Sequence, residues 1–260
     1  MTRNQPPGGQ APVVQRIRLR YAKRGRMRFT SHRDFARAFE RALLRAGVPI
    51  AYSQGFTPHP KISYASAAPT GVASEAEYLE VGLRAAVDPA ELVTALDAAL
   101  SPGLDVLDAV VAAEGSLADR IDASSWRIEL PGVAPDVAER AVSTFLAAPE
   151  VPVERLTKQG RRTLDARSPV VRFAVAGGPD HAPSRAFDPP CAILELVVRQ
   201  VTPSVRPEDV LSGLRVAADL ELPVPPRATR LAQGSLTAEG TLVDPLAADR
   251  SADVVGAPSS

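Results

Sequence analysis

A repeated segment is the feature that most restricts how this chain can fold. The segment beginning at Glu77 reads EYLEVGLRAAVDPAELVTAL, and it aligns with the segment beginning at Ala192, which reads AILELVVRQVTPSVRPEDVLSGL. The alignment places Glu80 on Glu195. Upstream, the segment RIRLRYA from Arg16, in which apolar residues alternate with arginines, is similar to WRIEL from Trp126. A helical pattern follows each of these two segments. Because self-similarity at a fixed spacing is the signature of a duplicated structural unit, we expect two related domains in tandem.

The order of elements within one repeat predicts the fold class. Apolar residues alternate with arginines in the first strand, which is the period-two pattern of a half-buried strand. Ser31 then caps a helix whose apolar residues recur every three or four positions, at Phe35, Ala38, Phe39, Ala42, Leu43 and Ala46. Two strands, a helix from Asp88 to Leu100 and a last strand complete the order βαββαβ. The sequence thus predicts an α+β protein of two tandem ferredoxin-like sandwiches that arose by internal duplication.

These patterns divide the chain into four segments. Residues 1–14 and 238–260 are rich in Pro, Gly, Ser, Ala and Asp and show no periodic apolar face, so we expect both to be flexible tails. The first ferredoxin-like domain is predicted over residues 15–114, and the second over residues 115–237.

Basic residues are concentrated in the first repeat, although the net charge of the chain is zero. Residues 15–61 hold twelve Lys or Arg against two acidic side chains, which gives this segment a formal charge of +10. The arginines follow two elements, namely every fourth position of the predicted helix (Arg33, Arg37, Arg41 and Arg45) and one face of the first strand (Arg16, Arg18 and Arg20). A cationic strand face beside a cationic helix favours a phosphate-rich partner, and a solvated surface is the alternative interpretation.

The stretch from Ala51 to Lys61 reads AYSQGFTPHPK, and we expect it to be a recognition loop. Each proline fixes its own φ and disfavours the helical conformation of the residue before it, so the loop is stiff. Aromatic rings of the loop and its neighbours, Tyr52, Phe56 and Tyr64, could stack on RNA bases. The candidate binding residues of the loop are Ser53, Gln54, Phe56, His59 and Lys61. A plain turn is the alternative.

Two histidines are the candidates for catalysis, His59 in the loop and His32 at the first position of the helix. If the fold brought them together, they could act as acid and base. A metal site would need a third ligand from nearby glutamates, so we expect neither a metal nor another cofactor. For His32 the alternative is a role in capping its helix. Cys191 is the single cysteine and lies in an apolar strand, which excludes a disulfide and a Cys-based metal site.

Further charged side chains are candidates for binding or for structural ion pairs. Glu75 and Glu77 precede the third strand and could either bind a ligand or form ion pairs with the arginines across the sheet. Glu80 is expected to form a structural ion pair within the sheet. In the second repeat, basic residues surround Gly160 in a predicted β-ribbon, at Arg155, Lys158, Arg161, Arg162, Arg167 and Arg172. This ribbon is either an arm for the RNA backbone, with Lys158, Arg161 and Arg162 as its contacts, or a solvated hairpin.

Several classes of protein are excluded by what the sequence lacks. It has no run of about 18 apolar residues and no apolar signal-peptide core, so we predict no membrane association and a cytoplasmic location. It also lacks the GxxxxGK[ST], HExxH and GxSxG motifs of common enzymes.

One block of motifs resembles a bacterial family. The motifs RFTSHRD, RAGVP, YSQGFTPHPK and GVASEAEYL follow each other between Arg28 and Leu79. They resemble the radical SAM-linked family, also called domain of unknown function 2344, over roughly Arg16 to Leu231. In that family the domain typically lies C-terminal to a radical SAM module. The resemblance therefore implies that this chain, which has no CxxxCxxC motif, is an accessory to a separate radical SAM protein. Neighbouring ribonuclease and ribosomal genes in the family imply an RNA-related substrate.

Three functions remain open. The leading hypothesis is a non-catalytic module that binds RNA or presents a substrate to a separate radical SAM protein. The second is a metal-independent ribonuclease-like enzyme that uses a histidine beside a basic groove. The third is a protein-interaction scaffold with no nucleic-acid role.

Overall fold

The chain is a mixed α+β protein whose residues form two compact units. A computed structural model describes residues 12–54, 56–157, 160–177 and 190–256, without the side chains of 253–256. The first unit extends to Asp119 and also includes the segment from Leu246 onward, and the second is Arg120–Pro245. Within these described residues there are eleven strands and five α-helices, and the strands pair mostly in antiparallel fashion.

The first unit has the predicted order of elements. These are β1 (Gln15–Lys23), α1 (His32–Arg45), β2 (Ile62–Ala65), β3 (Ala73–Leu83), α2 (Pro89–Ala99) and β4 (Leu104–Val111). The strands lie in the order β4-β1-β3-β2. Strand β3 begins earlier than the sequence indicated, so Glu75 and Glu77 lie within the strand and not in the loop before it.

One face of this sheet packs against α1, as the apolar periodicities predict. Phe35, Phe39, Ala42 and Leu43 are the buried residues of α1. The Phe35 ring stacks on Tyr21 of β1, with 4.4 Å between the ring centroids. The Ser31 hydroxyl accepts a hydrogen bond from the Asp34 backbone N–H at 3.2 Å and thereby caps the helix.

The second unit contains a similar succession of elements with an added hairpin. These are β5 (Ala123–Pro131), α3 (Pro135–Ala147), β6 (Pro152–Thr157), β7 (Gly160–Asp165), β8 (Val170–Val175), β9 (Cys191–Arg199), α4 (Pro207–Ala218), β10 (Arg227–Leu236) and β11 (Leu242–Val243). The main strands lie in the order β10-β5-β9-β8. Strands β6 and β7 form the ribbon predicted around Gly160. Lys158 lies outside the described residues.

The C-terminal segment corrects the prediction of a flexible tail over residues 238–260. After β11, residues Ala247–Gly256 form α5, which belongs to the first unit. Leu246 and Asp249 are both 0% exposed. The sequence interpretation missed this segment because a buried charge, in addition to the apolar Leu246, holds it in place. At the other end, residues 1–11 lie outside the described residues, and the Val14 N–H donates to the Leu83 carbonyl at 2.8 Å.

The charge that holds α5 is Arg18 of β1, which is only 1% exposed. Its Nε donates to Glu80 Oε2 at 2.9 Å, and its Nη1 donates to Asp249 Oδ1 at 2.8 Å. Its Nη2 donates to the Gly115 carbonyl. Asp249 Oδ1 also accepts from the Ala113 N–H at 2.9 Å. The expected pairing of Glu80 within the sheet is confirmed, whereas Arg18 does not lie on an open cationic face.

Asp249→Ala is expected to lower the free energy of unfolding by about 3–5 kcal/mol, because it leaves the buried Arg18 guanidinium with one carboxylate fewer. Urea unfolding of the full chain measures this. The matched control is Arg250→Ala, which removes an ion pair with Asp108 that is partly exposed and should cost less than about 1 kcal/mol. Equal losses in the two variants would contradict a dominant role for the buried pair.

Candidate nucleic-acid interface

The outward face of α1 carries a row of free cations. Arg33, Arg37 and Arg41 are exposed, and none of them makes an ion pair or hydrogen bond within the described part of the chain. They lie at i, i+4 steps because the apolar stripe of α1 occupies the opposite side of the helix. Like charges at this spacing destabilise a helix by a few tenths of a kcal/mol per pair, and an anionic partner would remove that repulsion. Arg45 differs from them, since it donates to the Ala99 carbonyl.

The described residues of the stretch from Ala51 to Lys61, which are 51–54 and 56–61, belong to a short hairpin that is hydrogen-bonded to β3. The Ala51 N–H donates to the Gly82 carbonyl, and the Lys61 N–H donates to the Ala51 carbonyl, both at 2.8 Å. Further out, the Ser53 N–H donates to the His59 carbonyl at 2.8 Å, and the His59 N–H donates to Ser53 Oγ at 3.0 Å. The backbone of this loop is thus held by several hydrogen bonds as well as by its prolines.

Side chains of this hairpin project into solvent. Phe56 is fully exposed. Gln54, His59 and Lys61 are also exposed, and within the described residues none of these three side chains has a hydrogen-bond or ion-pair partner. Ser53, in contrast, is half-buried, and its hydroxyl stabilises the loop by accepting a hydrogen bond from the His59 backbone N–H. Because hydrogen bonds hold the base of this loop, an exposed phenylalanine on it can offer a stacking surface at a smaller cost in conformational entropy.

The structure does not bring the two histidines together. The ring of His32 contacts Tyr64 edge-on, with 4.8 Å between the ring centroids, and Tyr64 lies near the end of β2. His59 lies before the start of β2. His32 and His59 are therefore associated with opposite ends of β2, and no ring contact or hydrogen bond joins them within the described residues. An acid and base pair made by these histidines therefore has no support in the geometry.

Tyr64 is a half-buried residue whose hydroxyl group is buried. Its Oη has no hydrogen-bond partner among the described residues. Burial, together with the negative charge of Glu40, raises the pKa of the Tyr64 hydroxyl above its ordinary value. The ring also contacts Phe35 edge-on, so Tyr64 acts as a core residue and is not placed to stack on a base.

The remaining candidates of the first unit divide between surface and structural roles. Arg16 has a side chain that is 65% exposed. Arg20 donates through Nε to the Glu75 carbonyl at 2.8 Å, while the Glu75 carboxylate accepts from Arg24 Nε at 2.8 Å. Glu77 is buried and accepts from the Ala68 N–H at 2.9 Å. Glu75 and Glu77 therefore hold neighbouring segments of the protein.

In the second unit, most of the predicted basic cluster is paired. Arg161 donates to Glu154 at 3.1 Å. Arg155 donates through Nε to Asp209 of α4 at 2.9 Å. Arg162 lies opposite Arg155 in the hairpin and is exposed. The ribbon thus offers fewer free cations than its sequence suggested, because Glu154 of the ribbon and Asp209 of α4 neutralise part of it.

Neither a metal centre nor a membrane span is found in the described parts of the chain. These residues contain no group of three or more His, Cys, Asp or Glu side chains that could hold a metal ion. Among the same residues, none of the helices combines the length and the apolar character that crossing a bilayer requires. Burial raises the pKa of the Cys191 thiol, which disfavours a reactive thiolate.

Two structural carboxylates, Asp249 and Asp105, were not identified from the sequence. Asp249 pairs with Arg18, and Asp105 accepts from Arg24 at 2.8 Å. Their only signal was that the arginines on and directly after β1 needed counter-charges, since neighbouring like charges repel each other. The position of those counter-charges depends on tertiary structure.

The described residues define an α+β protein with a cationic face on α1 and a hairpin that exposes an aromatic side chain. The model of one family matches residues 16–207, and its description is uncharacterised proteins conserved in bacteria (DUF2344). Because the match covers most of the chain, the chain belongs to this family. No curated protein matches the chain.

Tyr64→Phe is expected to maintain or raise the free energy of unfolding at neutral pH, by up to about 1 kcal/mol, because it removes a buried hydroxyl without a partner. Above pH 10 an unfolded tyrosine loses its proton while folded Tyr64 keeps it, so the hydroxyl makes stability fall as pH rises. The variant should lose that part of the alkaline destabilisation. Urea unfolding at neutral and alkaline pH measures both effects. Tyr52→Phe controls for the loss of one hydroxyl, and a clear destabilisation by Tyr64→Phe at neutral pH would contradict the interpretation.

Proposed function

We propose that this protein is a non-catalytic, cytoplasmic accessory that binds RNA through α1 and the hairpin of residues 51–61. The observation that carries the proposal is the row formed by Arg33, Arg37 and Arg41, which are exposed and have no carboxylate partner in the described residues. Most other arginines of the first unit are held by protein acceptors. Three unpartnered cations in a row on one helix face form a surface that is suited to a polyanion.

The chemistry of RNA explains why these two elements would act together. Arginines contribute affinity by displacing the counterions of phosphates, which makes binding depend on salt. Aromatic side chains contribute by stacking on unpaired bases, each worth about 1–3 kcal/mol. The α1 row supplies the first kind of contact, and Phe56 supplies the second. Lys61, at the base of the hairpin, adds one more cation. RNA with single-stranded regions is therefore the substrate class.

The fold supports a finer assignment within the same proposal. Both units are interpreted as ferredoxin-like sandwiches, because β4-β1-β3-β2 and β10-β5-β9-β8 are equivalent strand orders. Cross-strand partners also correspond, since Arg18 lies opposite Glu80 and Arg127 lies opposite Glu195. These similarities support an internal duplication, with the β6–β7 hairpin as an insertion in the second unit.

The proposed protein partner is a separate radical SAM protein, which the motifs of the first unit support. In this arrangement the chain holds the RNA or another substrate while the partner carries out the chemistry. Co-purification of the two proteins from cells that express both tests the association. A stable complex supports the role of accessory, and two proteins that elute separately with RNA present would contradict it.

Replacing Arg33, Arg37 and Arg41 together with Gln is expected to weaken RNA binding and to make it less dependent on salt. Each lost phosphate contact should reduce the slope of log affinity against log salt by about 0.7 for single-stranded RNA. Fluorescence anisotropy with labelled total tRNA and with a single-stranded RNA at several salt concentrations measures this. The control replaces Arg140, Arg172 and Arg215, which are exposed but ion-paired, and so removes the same charge. Equal loss in both triple variants would argue for unspecific attraction.

Phe56→Ala is expected to weaken binding of single-stranded RNA about 5- to 150-fold, the equivalent of one lost stacking contact. The salt slope should stay the same, because no charge is removed. Thr57→Ala is the matched control, since it shortens another exposed side chain of the same hairpin that is not among the candidate binding residues. Unchanged RNA affinity in Phe56→Ala would contradict the proposal that Phe56 stacks on RNA bases. Cleavage of the RNA in EDTA that is lost in His59→Ala would instead establish the ribonuclease alternative.

A further inference from the structure

We propose that a cavity on the other face of the first sheet binds a small zwitterion of the free amino acid class. The cavity has a volume of about 370 Å³, which lies within the range of small-molecule sites. Its walls come from β1, β2, β3 and the segment after β4, namely Arg16, Ser63, Tyr64, Ala65, Glu80 and residues 115–118. Because α1 packs on the opposite face, this site is separate from the proposed RNA surface.

The cavity contains one cation with free donors. Arg16 Nη1 lies 3.8 Å from Glu80 Oε1, which is too far for a hydrogen bond. The Arg16 side chain is 65% exposed and has no closer partner in the residues that the structure describes. Its guanidinium can therefore donate to a ligand carboxylate, for which a two-pronged contact is the favoured geometry.

The cavity also contains one carboxylate oxygen with free acceptor capacity. Glu80 Oε2 accepts from Arg18 Nε, whereas Oε1 receives no hydrogen bond from the described residues. Glu80 is mostly buried, with 18% of its side chain exposed, so a charge that reaches Oε1 would be little screened by solvent. Such an oxygen is suited to a ligand ammonium group.

Ser63 completes the polar set. It lies directly opposite Glu80 in the β2–β3 register, and its hydroxyl makes no hydrogen bond within the described residues. The Gly115 carbonyl already accepts from Arg18, so it has less acceptor capacity left for a ligand. Ser63 can donate to the ligand carboxylate or accept from its ammonium group.

The local charges favour a ligand that is neutral overall but carries both signs. Two arginines, Arg16 and Arg18, are balanced by two carboxylates, Glu80 and Asp249. A ligand with a single charge would leave the site with a net charge. In a zwitterion, the carboxylate would bind Arg16 and the ammonium group would bind Glu80, and these contacts would replace the weak contact between the two residues. The buried Leu117 adds an apolar wall for a ligand side chain.

The test is a thermal-shift screen of the full chain against the twenty free L-amino acids at about 10 mM, followed by calorimetry of the best one. A ligand present at ten or more times its Kd raises the melting temperature measurably, so the screen covers values of Kd up to about 1 mM. At least one amino acid is expected to stabilise the protein. Its N-acetyl and amide derivatives, each of which lacks one charge, should bind at least about tenfold more weakly.

Arg16→Gln should weaken binding at least about tenfold, and Ser63→Ala should weaken it to a smaller degree. Both residues are exposed, so the unliganded melting temperature reports whether the fold is intact. Arg172→Gln, an exposed arginine of the second unit, should bind as the natural chain does. The proposal is overturned if no amino acid stabilises the protein, if the blocked derivatives bind equally well, or if Arg16→Gln retains full affinity.

Discussion

The buried guanidinium of Arg18 is the interaction on which the first unit depends most. An isolated charge in the interior carries a large desolvation cost, and it is tolerated only when paired and fully hydrogen-bonded. Here the partners come from distant parts of the sequence, Glu80 of β3, Asp249 of α5 and the carbonyl of Gly115. One residue of β1 thereby ties together the sheet, the segment after β4 and the C-terminal helix.

This arrangement also explains how the positive charge of residues 15–61 is distributed. Arg18, Arg20 and Arg24, which lie on or directly after β1, donate to carboxylates or carbonyl groups of the same unit. On α1, the outward-facing Arg33, Arg37 and Arg41 have no such partners in the described residues. The segment therefore combines a structural set of cations with a free set. The proposed RNA surface uses only the free set, together with the rigid hairpin around Phe56.

Local elements were predictable because they depend on short-range patterns. The helix predicted from Asp88 to Leu100 is observed as Pro89–Ala99, with Asp88 and Leu100 as its caps. The buried stripe of α1 followed from its apolar spacing, and the Ser31 cap from its position. The hairpin at Gly160 was also predictable. The roles of Glu75 and Glu77 were not, since a glutamate before or within a strand looks the same whether it binds a ligand or an N–H group of the protein.

The sequence by itself determined the α+β class, the order of elements in the first unit, the restriction that two prolines place on the backbone of the AYSQGFTPHPK stretch, and membership of the family. These properties follow from hydrophobic periodicity, from the fixed φ of proline and from contiguous motifs, all of which are local. Tertiary structure alone decided which charges are neutralised, that Tyr64 packs in the core, that His32 and His59 lie apart, and that residues 247–256 form a helix of the first unit. The physical reason is that ion pairs such as Arg18 with Asp249 join residues far apart in the chain, and no periodicity records their distance in space.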